Sequence, residues 1–158
     1  SKRRVLDSKG AIHLCLNKMK TDNLILKSNG AAVMDIVDLE CENLQINQNG
    51  AADFEGKIRC KNTVDINTKG AGDYKLDVQA DALVLNSNGV AEVDASFTGR
   101  SCKLHSNGSS EIELTAECES LSCESRGAST ITAKGTADQT KIKSHGASKI
   151  NSSMLNQF

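Results

Sequence analysis

The sequence predicts an all-β chain: a single parallel β-helix, or β-solenoid, of about eight coils, with 19–20 residues and two main strands per coil. Three observations predict it. Glycines recur at Gly10, Gly30, Gly50, Gly70, Gly89, Gly108, Gly127 and Gly146, in steps of 20, 20, 20, 19, 19, 19 and 19 residues. Self-similarity at a fixed period of this length marks a stacked repeat architecture. The residues after each glycine alternate between apolar and polar, the period of a strand with one buried face. The repeats also match column by column. Antiparallel hairpins could use Asn-Gly turns without such matching, whereas coils stacked about 4.8 Å apart require it.

The elements follow in chain order. Residues 1–9 read as the end of a preceding incomplete coil, because Leu6-Asp7-Ser8-Lys9 matches the close of the later second strands. Together with a start at Ser1 in mid-coil, this suggests a piece of something longer. Residues 10–151 hold the repeats, and the whole of 1–158 reads as one domain. In each repeat the first strand places small or apolar residues two, four and six positions after glycine: Ala32, Met34 and Ile36; Ala52, Phe54 and Gly56; Gly72, Tyr74 and Leu76; Ala91, Val93 and Ala95; Ser110, Ile112 and Leu114. A connection follows. The second strand then carries the pairs Leu24 and Leu26, Leu44 and Ile46, Val64 and Ile66, Leu83 and Leu85, Cys102 and Leu104, Leu121 and Cys123, Thr140 and Ile142. Each repeat closes on a corner glycine, which reaches positive φ at no steric cost. A column of Ser and Thr precedes the corner, and Asn29, Asn49, Asn88 and Asn107 form an Asn column suited to a side-chain hydrogen-bond ladder. At residues 152–158, Met154, Leu155 and Phe158 are apolar enough to fold over the last coil as a cap. Eight such coils make a rod about 38 Å tall.

Composition narrows the function. Proline, which cannot donate to a ladder, is absent. One Tyr, three Phe and no Trp suit a narrow interior and argue against an aromatic platform for sugars or bases. A net charge of −1 leaves no electrostatic footprint for nucleic acid, and no apolar run approaches a membrane span. No signal peptide is visible in this chain. Cys102 and Cys123 fill inward positions, Cys15 points outward, and Cys41, Cys60 and Cys118 lie in the connections. Three readings of the six cysteines stand open: small buried hydrophobes, a disulfide between neighbouring coils such as Cys41–Cys60, or a metal site. The last lacks a CxxC pair and a nearby His cluster. His13, His105 and His145 are scattered and read as surface residues.

Chemistry is sparse. There is no nucleophile elbow, phosphate loop or dinucleotide fingerprint. One pattern does stand out. Asp35, Asp53, Glu55, Asp73, Glu92, Asp94, Glu111 and Glu113 fall on the outward face of the first strand, coil upon coil. Like charges facing each other across strands are destabilising. Such a ladder serves as a docking face for a basic surface, as a weak calcium site through its oxygen donors, or as a solvated face that discourages sideways sheet association. A glycosidase would also use paired carboxylates, but a catalytic pair should break the repeat at one place and these residues obey it.

Recurrent "SNGAA", "KGAG", "SNGSS", "RGAS" and "HGASKI", each followed by an alternating strand and then a run such as "NLQI" or "TKIK", resemble the auto-transporter adhesin head GIN domain family from about Gly10 to Asn151. The resemblance implies a β-helical solenoid in secreted or surface-attached bacterial proteins, adhesin-like binding, and no catalytic residues. The expectation is therefore a non-enzymatic adhesin-like or structural interaction domain, extracellular, periplasmic or at the cell surface, needing no cofactor, with an unidentified protein or glycan ligand. Two alternatives remain. One is a polymer-forming scaffold like bactofilins, whose rod ends self-associate. The other, further off, is a carbohydrate-active β-helix enzyme.

Overall fold

In the computed structural model the described residues are 3–157, with backbone alone for 153, 154 and 157. They form strands β1 (Arg3–Lys9), β2 (Ile12–Leu16), β3 (Met19–Lys20), β4 (Asn23–Asn29), β5 (Ala32–Asn49), β6 (Ala52–Gln79), β7 (Ala82–Thr98), β8 (Ser101–Gly108), β9 (Glu111–Gly127), β10 (Thr130–Ser144) and β11 (Lys149–Gln157), with no helix among them. Every strand pair is parallel, and the main path through the sheet runs β1-β4-β5-β6-β7-β8-β9-β10-β11. Each residue faces its equivalent one repeat away: Leu24 opposes Leu44, Val64 opposes Leu83, and Leu83 opposes Cys102. The chain is a β-solenoid, and the hairpin alternative falls away because hairpins pair antiparallel.

Alternation decides which side chains enter the core. Met34, Phe54, Tyr74, Val93, Ile112 and Ile131 stack from the first strand, and Leu26, Ile46, Ile66, Leu85, Leu104 and Cys123 from the second, all buried. The connection that the sequence left unassigned is itself strand. Leu39, Ile58, Val78, Phe97 and Ala116 stack as a third inward column, each fully buried or nearly so. Size is balanced inside the coil. A Cβ at Gly56 would lie 2.9 Å from the Phe54 ring, and one at Gly72 would lie 2.9 Å from the Tyr74 ring. Each aromatic therefore fits because glycine stands two positions away. The two rings stack with centroids 6.2 Å apart.

The step from 20 to 19 residues also has a local cause. Between β5 and β6 the register shifts after Ile36 and again after Cys41, so the longer coils absorb their extra residue in the connection. Val37, at this irregularity, is 60% exposed.

The corner glycines are required twice over. All eight have positive φ, between +72° at Gly146 and +119° at Gly30. A Cβ on Gly30, Gly50, Gly70, Gly89, Gly108 or Gly127 would also sit 2.6–2.7 Å from the carbonyl oxygen of the glycine one coil earlier. Backbone packs on backbone at this edge, and a side chain would wedge the coils apart. Inside the corner the Ser/Thr column is buried, as at Ser87, Ser106 and Ser125. Where serine also follows the corner, hydroxyls close the network. Ser129 donates to Gly108 O at 3.0 Å and accepts from Ser106 Oγ at 3.0 Å.

Two expectations shift. Among the described residues no hydrogen bond joins the side chains of Asn29, Asn49, Asn88 and Asn107; the Asn ladder forms two residues earlier. Asn67 Nδ2 donates to Asn47 Oδ1 at 3.2 Å, and Asn86 Nδ2 donates to Asn67 Oδ1 at 2.9 Å. Those positions lie on the outer side of a regular strand, so their side chains project in parallel, whereas the predicted column sits where the chain turns. At the last coil, β11 covers β10 only from Thr130 to Ala137, so Ile142 is 36% exposed instead of buried. Leu155 is buried on that coil. The capping roles of the Met154 side chain and of Phe158 lie outside the described residues.

Candidate functional site

The acidic columns are in register. Asp73 opposes Glu92 and Glu92 opposes Glu111, while Asp94 opposes Glu113 and Asp35 opposes Glu55. Lys75 interrupts the second column opposite Asp94, and the first column passes from Glu111 to Thr130. The ladder's side chains are exposed or partly so, as outward strand positions must be. The carboxylates form rows about 4.8 Å apart along the rod. They do not form a cage: among the described residues, three metal-ligating atoms converge only at His13, Cys15 and Asp35.

Beside the first acidic column runs a feature that the sequence reading did not isolate. The residues one place after the corner glycines, Ala11, Ala31, Ala51, Ala71, Val90, Ser109 and Ala128, line a long open trough together with the more buried Ala32, Ala52, Gly72, Ala91 and Ser110 beside them. Asp53, Asp73, Glu92 and Glu111 form part of its lining, and His13 and Thr130 lie at its two ends. The small residues are there because the corner is tight. The trough is the consequence: where side chains shrink coil after coil, the surface is grooved. The signal lay in the small column itself, which explains the corner but does not by itself announce a groove.

Two charged clusters also emerge only in three dimensions. His13 and Cys15, two apart on β2, share the outward face with Asp35 on the next coil. His13 Nε2 lies 3.1 Å from Asp35 Oδ2 and 3.5 Å from Cys15 Sγ. Imidazole, thiolate and carboxylate are donors that zinc accepts, and all three residues are exposed. Further along, Glu124 is ringed by Arg126 at 2.9 Å, His105 at 3.5 Å and His145 at 3.6 Å. The hydrogen bond from Arg126 chiefly holds the Glu124 carboxyl below its ordinary range. Desolvation opposes this, and the charges of Arg126, His105 and His145 add to it.

The inward thiols of Cys102 and Cys123 and the Tyr74 hydroxyl are closed off from solvent. Burial pushes the Cys102 thiol well up, the Cys123 thiol to about 12 and the Tyr74 hydroxyl to about 12, so each stays protonated. Cys15 is exposed and Cys102 and Cys123 are buried, as the alternation requires.

Comparison with curated proteins and with solved structures finds no match. The family described as "Putative auto-transporter adhesin, head GIN domain" matches residues 79–157, half of the chain and about four of its coils, and the unmatched coils continue the same registers. A solenoid of glycine-cornered parallel coils, built throughout on one repeat, thus belongs to the auto-transporter adhesin head GIN domain family.

Proposed function

We propose that this chain is a non-enzymatic, adhesin-like recognition module displayed at the cell surface, and that it engages a basic protein surface along the corner trough. The family description supports the adhesin-like and surface parts of this reading. The observation that carries the ligand chemistry is the juxtaposition of the small-residue floor with the carboxylate column Asp53, Asp73, Glu92 and Glu111. A shallow apolar floor accommodates side-chain stems, and one carboxylate per coil meets cationic ends. Lys and Arg side chains combine these two properties. A glycan is the weaker fit, because Tyr74, Phe54 and Phe97 are all buried and leave no ring for a sugar face among the described residues. The carboxylates also obey the repeat from coil to coil, whereas catalysis calls for an acid and a base in unlike environments.

The test is binding of the full chain to a Lys/Arg-rich peptide of about ten residues, followed by fluorescence anisotropy over a salt series. We expect saturable binding that weakens with salt and that Glu92→Lys with Glu111→Lys abolishes. Equal binding by the charge-reversed chain would overturn the reading. Capture of neutral glycans with no response to the peptide would replace it with a sugar-binding one.

A second reading, end-to-end assembly into a scaffold, draws on the two ends. Val5 and Leu6 on β1 are 47% and 39% exposed, and Ile142 on β10 is 36% exposed. Light scattering over a concentration series tests it: growth into rods supports assembly, and a constant mass refutes it.

A further inference from the structure

Cys41 and Cys60 occupy the same position on adjacent coils, between the first and second strands. They are directly opposed in the β5–β6 register, and in the strand pairings of Cys15, Cys102, Cys118 and Cys123 no cysteine faces another. Strand spacing sets their Cα atoms about 4.8 Å apart, inside the range that a disulfide spans. Both side chains point inward, each 8% exposed, and the Sγ atoms face each other at 2.6 Å. The pair is not sealed from solvent. It borders a surface groove together with Lys20, Glu40, Arg59 and Lys61.

We propose that Cys41 and Cys60 are a modification site, closing a disulfide that staples the second coil to the third, with a small-molecule or protein disulfide as oxidant. One thiol of the pair attacks the donor disulfide, breaking its S–S bond, and one donor thiol leaves with the attacking group's proton. The partner thiol then attacks the protein sulfur of the mixed disulfide, and the second donor thiol leaves with the partner's proton. Two protein thiols are oxidised, one donor disulfide is reduced to two thiols, and no other reactant is needed. The biological setting of this step rests on the cell-surface reading, because disulfides persist outside the reducing cytosol. The chemistry itself does not rest on it.

The experiment uses the full chain and oxidised glutathione, with peptide mapping and thermal unfolding. Trypsin releases Cys41 within residues 28–57 and Cys60 within the dipeptide Cys60-Lys61. We expect these two peptides to appear joined, two hydrogens lighter than their sum, and to separate on reduction. The closed loop spans about 20 residues, comparable with loops whose cross-linking raises stability appreciably. We therefore expect a Tm increase of roughly 5–12 °C, reversed by reductant. Cys60→Ala should lose both the joined peptide and the shift, and Cys102→Ala should keep both. Free Cys41 and Cys60 after prolonged oxidation would overturn the proposal, as would linkage to other cysteines. Because the reaction is run in vitro, failure there refutes the disulfide without touching the adhesin reading, and failure of peptide binding leaves the disulfide standing.

Discussion

Replacing Gly89 with alanine adds one methyl group to the corner, and the structure says where it would go. Gly89 has φ of +109°, a region that residues with a Cβ rarely enter. Forcing alanine there costs about 1–3 kcal/mol of backbone strain. Its Cβ would also lie 2.6 Å from Gly70 O and 2.9 Å from Gly70 N. Those atoms are backbone in a packed ladder, so the coils must part, and overpacking of this kind costs about 1–3 kcal/mol more. Gly10 supplies the control. Its φ is +87°, but an added Cβ meets nothing within 4 Å. Gly10→Ala therefore carries the strain without the collision. At about 2–4 °C per kcal/mol for a chain of this size, Gly89→Ala should lower Tm by roughly 2–12 °C more than Gly10→Ala does. Circular dichroism melts of the two variants beside the parent chain decide it. Equal losses would refute the claim that coil-on-coil contact, and not turn geometry alone, demands glycine at each corner.

Four further outcomes are expected. Ile112→Asp buries a carboxylate at a position 1% exposed, and should abolish the cooperative melt, since such a change costs about 4 kcal/mol or more; retention of the parent Tm would sink the inward assignment. Glu111→Lys turns the like-charge pair with Glu92 into an attractive one, so Tm should hold or rise, by at most about 1 kcal/mol equivalent, and the gain should vanish in about 1 M salt; a marked loss would contradict the ladder. Asn67→Ala removes the side chain that links Asn47 to Asn86 and should cost about 1–3 kcal/mol in urea unfolding, more than the same change at Asn107. Glu124 is held below its ordinary range by Arg126 first. Its folded-state value is thus below its unfolded one, so its stabilisation is present above the unfolded value and lost as pH falls through the folded one; Glu124→Gln should flatten that acid limb of the Tm profile, and an unchanged profile would deny the ion cluster a role.

Much of this was legible in the chain itself. Period-two alternation at Ala91, Val93 and Ala95 and the glycine spacing determine a stacked strand, because in a solenoid the neighbour of each residue is its own repeat. Sequence order therefore dictates spatial order, and the outward placement of Asp53, Asp73, Glu92 and Glu111 follows from it. What the sequence could not determine depends on distances between side chains. That the connection is a third strand rests on Leu39, Ile58, Val78 and Phe97 lying on one inward face, although their spacing from the corner glycine changes by one residue. The Asn ladder moved from the corner to Asn47, Asn67 and Asn86 because a turn splays side chains and a straight strand aligns them. The trough and the meeting of His13 and Cys15 with Asp35 needed coordinates; that Cys41 and Cys60 face each other on adjacent coils was legible from the repeat, and only their separation was not. Each depends on a lateral separation of a few ångströms, set by the closure of the coil, and the linear pattern carries no term for it.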